Sequence, residues 1–110
     1  GGDWKYRKQN LNYFEKILEK LEEKGLKIYL VFAPITKERL SKIENKKEID
    51  QLMIEYENKF KKTKYIDFSS LNFLKDDQEF YDLHHLNQNG VIKFNKFFIQ
   101  KLKSDLFLVN

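Results

Sequence analysis

The stretch Leu26 to Pro34, LKIYLVFAP, constrains the fold more than any other part of this chain. It is apolar at consecutive positions, rich in β-branched and aromatic residues, and ends at the only proline in the sequence. A strand with one wet face alternates apolar and polar residues, so an unbroken run of this kind reads as a strand covered on both faces, as in a parallel sheet. A second, shorter run, TKYIDFSS from Thr63 to Ser70, reads as another strand. The chain between them has helical rather than turn character, so the strands are joined by a crossover, which gives a right-handed βαβ unit.

Helical periodicity frames these runs. From Tyr6 to Lys24 apolar residues recur at Leu11, Phe14, Leu18 and Leu21, with Ile17 beside them, and Gly25 stands where a left-handed C-cap is expected. Thr36 can cap a short helix through KERLSKIENK. The following KEIDQLMIEYENKFKK places Ile49, Leu52, Met53, Tyr56 and Phe60 on one side, as core rather than cofactor contacts. After an irregular loop, Asn87 can cap a last helix through NGVIKFNKFFIQKLKSDL. The order helix, strand, helices, strand, loop, helix makes the chain α/β. With no repeat, low-complexity tract or internal linker, residues 1–110 read as a single domain.

Composition removes several function classes. The net charge of +4 comes almost entirely from lysines interleaved with glutamates at helical spacing, the pattern of a solvated helix face and not of a nucleic-acid surface. There is no cysteine, which excludes disulfides, zinc–thiolate centres and a cysteine nucleophile. No apolar run approaches the roughly 20 residues that span a bilayer, so no membrane contact is expected of this chain.

Chemistry concentrates in FYDLHHLNQNGVIKF, Phe80 to Phe94, which holds both histidines and one of four glycines. Asp82 and His85 form an Asp-x-x-His pattern in a loop directly before a helix and after the carboxyl end of a strand, where ligands bind in open α/β sheets. Three residues of spacing let the carboxylate meet the imidazole, fix its tautomer and leave the other ring nitrogen free to accept a proton. The same residue types also suit a surface loop with two exposed histidines. A metal site from Asp82, His84 and His85 is weaker, since adjacent histidines diverge in regular structure; no metal or cofactor is expected. Gly90 reads either as a tolerated glycine in a first helical turn or as a point of close packing.

The block DLHHLNQNG followed by a helix resembles the last sequence block of the SGNH/GDSL hydrolase superfamily, matching its pattern at Asp82, His85, Leu86, Asn87 and Gly90. The preceding elements follow that family's order as well. The resemblance implies a three-layer α/β/α, flavodoxin-like sheet domain acting as an esterase or acyltransferase, in which His85 is the base of a serine nucleophile and Asp82 orients it. It further implies a Gly-Asp-Ser block near the start of such a domain, and nothing here matches it: Ser41, Ser69, Ser70 and Ser104 all lack the strand-to-helix turn of a nucleophile. GGDW at the start lies where the family's oxyanion-hole block, Gly-x-Asn-Asp, falls, but no asparagine precedes Asp3.

The resulting expectation is the C-terminal part of a larger SGNH-type enzyme acting on an acyl ester or acylated carbohydrate, such as a cell-envelope polymer, in an extracytoplasmic or membrane-anchored parent. The chain alone is expected to be inactive. It is also expected to form a homodimer through the exposed edge of the Ile28–Phe32 strand. The alternatives are a degenerate, non-catalytic module that binds carbohydrate or a protein partner, and an unrelated α/β domain whose Asp-x-x-His is chance.

Overall fold

The computed structural model describes residues 2–109, with side chains from Lys8 to Asp105. Its elements are α1 (Gly2–Glu23), β1 (Ile28–Phe32), α2 (Lys37–Ser41), α3 (Lys46–Lys59), β2 (Thr63–Asp67) and α4 (Gln88–Val109). The fold is mixed α/β, and β1 and β2 form a two-stranded sheet among the described residues. Ile28 N–H donates to Lys62 and Phe68 N–H donates to Phe32 at the two ends, a register that advances in the same direction along both strands and makes them parallel. The GGDW reading concerns side chains that lie outside the described residues.

The chain divides into two compact units, the first made of the residues up to Val31 with Lys47–Ile66, the second of Phe32–Lys46 with the residues from Asp67 onward. In the first unit, α1 stops as its sequence expects. Gly25 adopts φ +73°, its N–H donates to Glu22, and Leu26 N–H reaches back to Leu21, the two bonds of a Schellman cap. Leu18, Leu30, Tyr56 and Phe60 are buried together, with Phe14, Ile28, Leu52, Met53 and Tyr65 packed against them. Phe14 and Tyr56 pack with ring centroids 5.6 Å apart. Polar contacts lie around this apolar centre: Tyr65 Oη donates to Asp50 at 2.6 Å, and Glu15 pairs with Lys59.

One expectation fails in this unit. β1 is not covered on both faces: Leu30 is buried, whereas Val31, pointing the other way, is 42% exposed. The helices that bury Leu30 serve one face of the strand, and the apolar character of the run does not itself provide a layer for the other.

In the second unit α2 is shorter than the KERLSKIENK pattern suggests. Ser41 Oγ donates to the Glu38 carbonyl, while Lys42 and Ile43 N–H make three-residue bonds to Arg39 and Leu40, so the last turn tightens and ends. Thr36 caps this helix as expected, accepting from Arg39 N–H at 3.1 Å. The unit's apolar centre is Phe68, 1% exposed, against which Phe94, Phe97 and Phe98 of α4 set ring edges at centroid distances of 5.1, 6.1 and 5.4 Å. At the end of β2, Lys46 Nζ pairs with Asp67 at 2.7 Å and lies 4.7 Å from the centre of the Phe32 ring. Burial pushes the Asp67 carboxyl up, but hydrogen bonds from Lys46 and Ser69 outweigh it and leave the group below the usual carboxylate range.

Candidate functional site

The loop between β2 and α4 is irregular in trace but densely bonded. Lys75 N–H donates to the Glu79 carboxylate at 2.6 Å, and Glu79 N–H returns to the Lys75 carbonyl. Glu79 is almost completely buried and pairs with Lys93 of α4 at 2.7 Å. The Lys93 ammonium and the Lys75 amide hold its carboxyl below the usual range, although burial acts against them. From Glu79 the chain turns back on itself: Phe80 bridges Leu86 in antiparallel fashion, Tyr81 N–H donates to the His85 carbonyl at 2.8 Å, and Asn87 N–H donates to the Glu79 carbonyl at 2.9 Å. Asp82, Leu83 and His84 form the tip of this small hairpin.

Asn87 anchors the hairpin to α4. Its Oδ1 accepts Gly90 N–H at 2.8 Å, the expected N-cap bond, and its Nδ2 donates to the Gln78 carbonyl at 2.8 Å. Of the two readings of Gly90, close packing is the one observed. A β-carbon there would lie 2.1 Å from the Glu79 carbonyl oxygen and 3.0 Å from Leu86 Cδ2, so the backbone of the hairpin occupies the space a side chain needs.

At the tip, Asp82 Oδ1 accepts the N–H groups of both His84 and His85 at 2.8 Å. His85 Nδ1 lies 2.9 Å from the same oxygen and 3.0 Å from Oδ2. The His84 amide above all lowers the Asp82 carboxyl; burial opposes it, and the bonds from the His85 ring and amide add to the lowering, which leaves the group below the usual range. An ionised carboxylate only accepts, so the ring turns its Nδ1–H to Asp82, and in the neutral imidazole the lone pair is then on Nε2. The His85 side chain is 72% exposed, leaving Nε2 open to a reacting group.

The histidines therefore differ in role. His84 gives Asp82 its backbone N–H, and its ring stands 6.1 Å from that of His85 at a steep angle. Among the described residues no group of three or more His, Cys, Asp or Glu side chains is placed to hold a metal ion. No described serine hydroxyl bonds to His85. Ser41 Oγ is turned to Glu38, and Ser69 is buried at the end of β2 with its N–H on Asp67.

The sequence pattern brought Asp82, His85, Asn87 and Gly90 to attention, and the fold places all four in or beneath one hairpin. It did not mark Glu79, which looks no different from Asp76 and Asp77 until Lys93 of α4 is seen to face it. Asp76 in turn accepts Lys37 and Glu38 N–H at 2.9 and 3.3 Å, which ties the loop to the start of α2. Compared with known proteins, the chain matches no family model, no curated protein and no solved structure.

Proposed function

We propose that Asp82 and His85 are the orienting acid and the general base of an acyl-transfer site of SGNH/GDSL type, and that the chain is the C-terminal part of a three-layer α/β/α domain whose serine nucleophile lies upstream. The observation that carries this reading is the carboxylate–imidazole pair at 2.9 Å with the far ring nitrogen exposed. Beside it stands the match of Asp82, His85, Leu86, Asn87 and Gly90 to the family's last block.

The chemistry follows from that geometry. A serine hydroxyl within about 2.6–3.2 Å of Nε2 gives up its proton to His85 as its oxygen bonds to the acyl carbon. Asp82 stabilises the imidazolium so formed. The imidazolium then protonates the departing alkoxide as the ester bond breaks; water or an acceptor hydroxyl next gives its proton to the same nitrogen as its oxygen bonds to the acyl carbon, and the imidazolium returns that proton to the serine oxygen as the acyl–serine bond breaks. An acylated cell-envelope polymer is the substrate class this reading favours, by analogy with the family.

The test is hydrolysis of a short activated ester by the chain, by the longer protein that includes its upstream sequence, and by His85→Ala in each. Turnover is expected in the longer protein alone, and is lost there on substitution to the extent of about 10³–10⁶-fold. A longer protein that is active and indifferent to His85→Ala would overturn the reading. Turnover by the isolated chain that depends on His85 would replace the fragment with a complete small enzyme. On the same reading the open edge of β1 is where a further strand of the parent pairs, and in the isolated chain it is free to pair with a second copy. A dimer by light scattering is the expected result, and a monomer over a wide concentration range the contrary one.

A second reading draws on Tyr81, which is 81% exposed next to Asp82. An aromatic ring beside hydrogen-bonding side chains is a platform for a sugar ring, which suits a non-catalytic carbohydrate-binding module. Binding of an envelope polysaccharide that is lost in Tyr81→Ala and kept in His85→Ala would favour it.

A further inference from the structure

Thr36 lies on the segment between β1 and α2, far in sequence from the histidines, and is only 2% exposed. Its N–H and its hydroxyl both point to one acceptor, the carbonyl of Leu83, at 3.2 and 3.1 Å. The hydroxyl both donates, to Leu83, and accepts, from Arg39 N–H.

The Leu83 carbonyl and the His84 N–H belong to one peptide group. The chain has no cis peptide bond among the described residues, so the C=O and N–H bonds of this group point in opposite directions across a rigid plane. Thr36 holds the oxygen side of that plane, and Asp82 Oδ1 receives its N–H side at 2.8 Å. Rotation of this plane would withdraw the amide from Asp82, and two donors on its oxygen resist the rotation. They also polarise the amide, which strengthens its N–H as a donor.

We infer that Thr36 is a positioning residue for the Asp82–His85 pair: by fixing the Leu83–His84 peptide it delivers the amide that holds the Asp82 carboxylate against His85 Nδ1. The inference rests on the acid–base reading of that pair only for its catalytic meaning. Its geometry is open to test without any substrate.

The experiment is nitrogen NMR of the His85 ring and exchange of the His84 amide proton, in the intact chain and in three variants. Thr36→Val removes the hydroxyl at nearly constant shape, Thr36→Ser restores it, and Asp76→Ala weakens the start of α2 without touching Leu83. In the unmodified chain the His85 ring is expected in the Nδ1–H form, with the His84 amide protected despite its place at an exposed hairpin tip. Thr36→Val is expected to shift the ring toward the Nε2–H form and to speed His84 exchange about tenfold or more, about 1.4 kcal/mol at tenfold. Thr36→Ser and Asp76→Ala are expected to keep both signals.

An unchanged ring and amide in Thr36→Val would overturn the inference, as would Asp76→Ala reproducing the effect, which would assign it to α2. Should Thr36→Val not fold, fast exchange of His84 in the unmodified chain would overturn it on its own. Because no turnover is read, these results are independent of the esterase assay: an inactive longer protein leaves the clamp standing, and a lost clamp leaves the assay to be judged separately.

Discussion

The two units of the chain solve the problem of order in different ways. The first is centred on apolar contacts, Leu18, Leu30, Tyr56 and Phe60, with its ion pairs and hydrogen bonds at the margin. The second has an aromatic centre around Phe68, yet among the described residues it also buries Thr36, Ser69, Glu79 and Asp105, where the first buries Thr63. Apolar burial is non-directional and tolerates small shifts, whereas a buried polar group must find its partners in fixed directions. The unit that holds Asp82 and His85 is the one in which geometry is set by such directed contacts.

Truncating the two centres is the strongest test of this contrast. Phe68→Ala is expected to cost about 3–5 kcal/mol and Leu18→Ala about 2–5 kcal/mol by urea unfolding. The sharper readout is local. Phe68→Ala is expected to disturb the His85 ring signals, while Leu18→Ala at a comparable loss of stability leaves them in place. If both variants disturb the ring equally, the division of labour between the units is broken.

Gly90→Ala should come next. At an ordinary helix position this change gains roughly 1 kcal/mol from propensity. Here the new β-carbon meets a backbone carbonyl at 2.1 Å, and overpacking of that kind costs about 1–3 kcal/mol, so the net sign is destabilising. A more stable variant would mean that the hairpin is not seated on α4 as described.

Acid offers a graded probe. Asp67, Glu79 and Asp82 all lie in the second unit and all have carboxyl groups held below their usual range. A carboxylate whose pKa is depressed on folding adds stability above its unfolded value, and that stability is lost as pH falls through the folded value. Amides of the 79–87 hairpin are therefore expected to lose protection below about pH 4, before those of α1 and α3. Simultaneous loss in both units would show that the carboxylates do not act locally.

The smallest effect is expected from Tyr65→Phe, which removes a partly exposed hydrogen bond to Asp50 at the margin of the first unit. About 1 kcal/mol or less is anticipated, with no change at His85.

Much of this architecture could be read in the amino-acid order. The positions of the four helices and two strands, the Schellman glycine at Gly25, the caps at Thr36 and Asn87 and the Asp-x-x-His pairing all follow from local rules, because each is decided by residues a few positions apart. The early stop of α2 at Ser41 escaped those rules, since the serine hydroxyl competes with the helix for the Glu38 carbonyl. So did the exposed face of β1 at Val31, because an apolar run records what a strand could bury and not what comes to cover it.

What the sequence determined by itself was the identity of the carboxylate and the imidazole, because an i to i+3 spacing in a turn brings them together without help from the rest of the chain. Only the tertiary structure decided how they are held. The Glu79–Lys93 pair, the space at Gly90 filled by a carbonyl, and Thr36 closing on the Leu83–His84 peptide join residues 11 to 47 positions apart. Such contacts depend on the direction of each hydrogen bond and on the space left by neighbours, and neither quantity exists until the chain has folded.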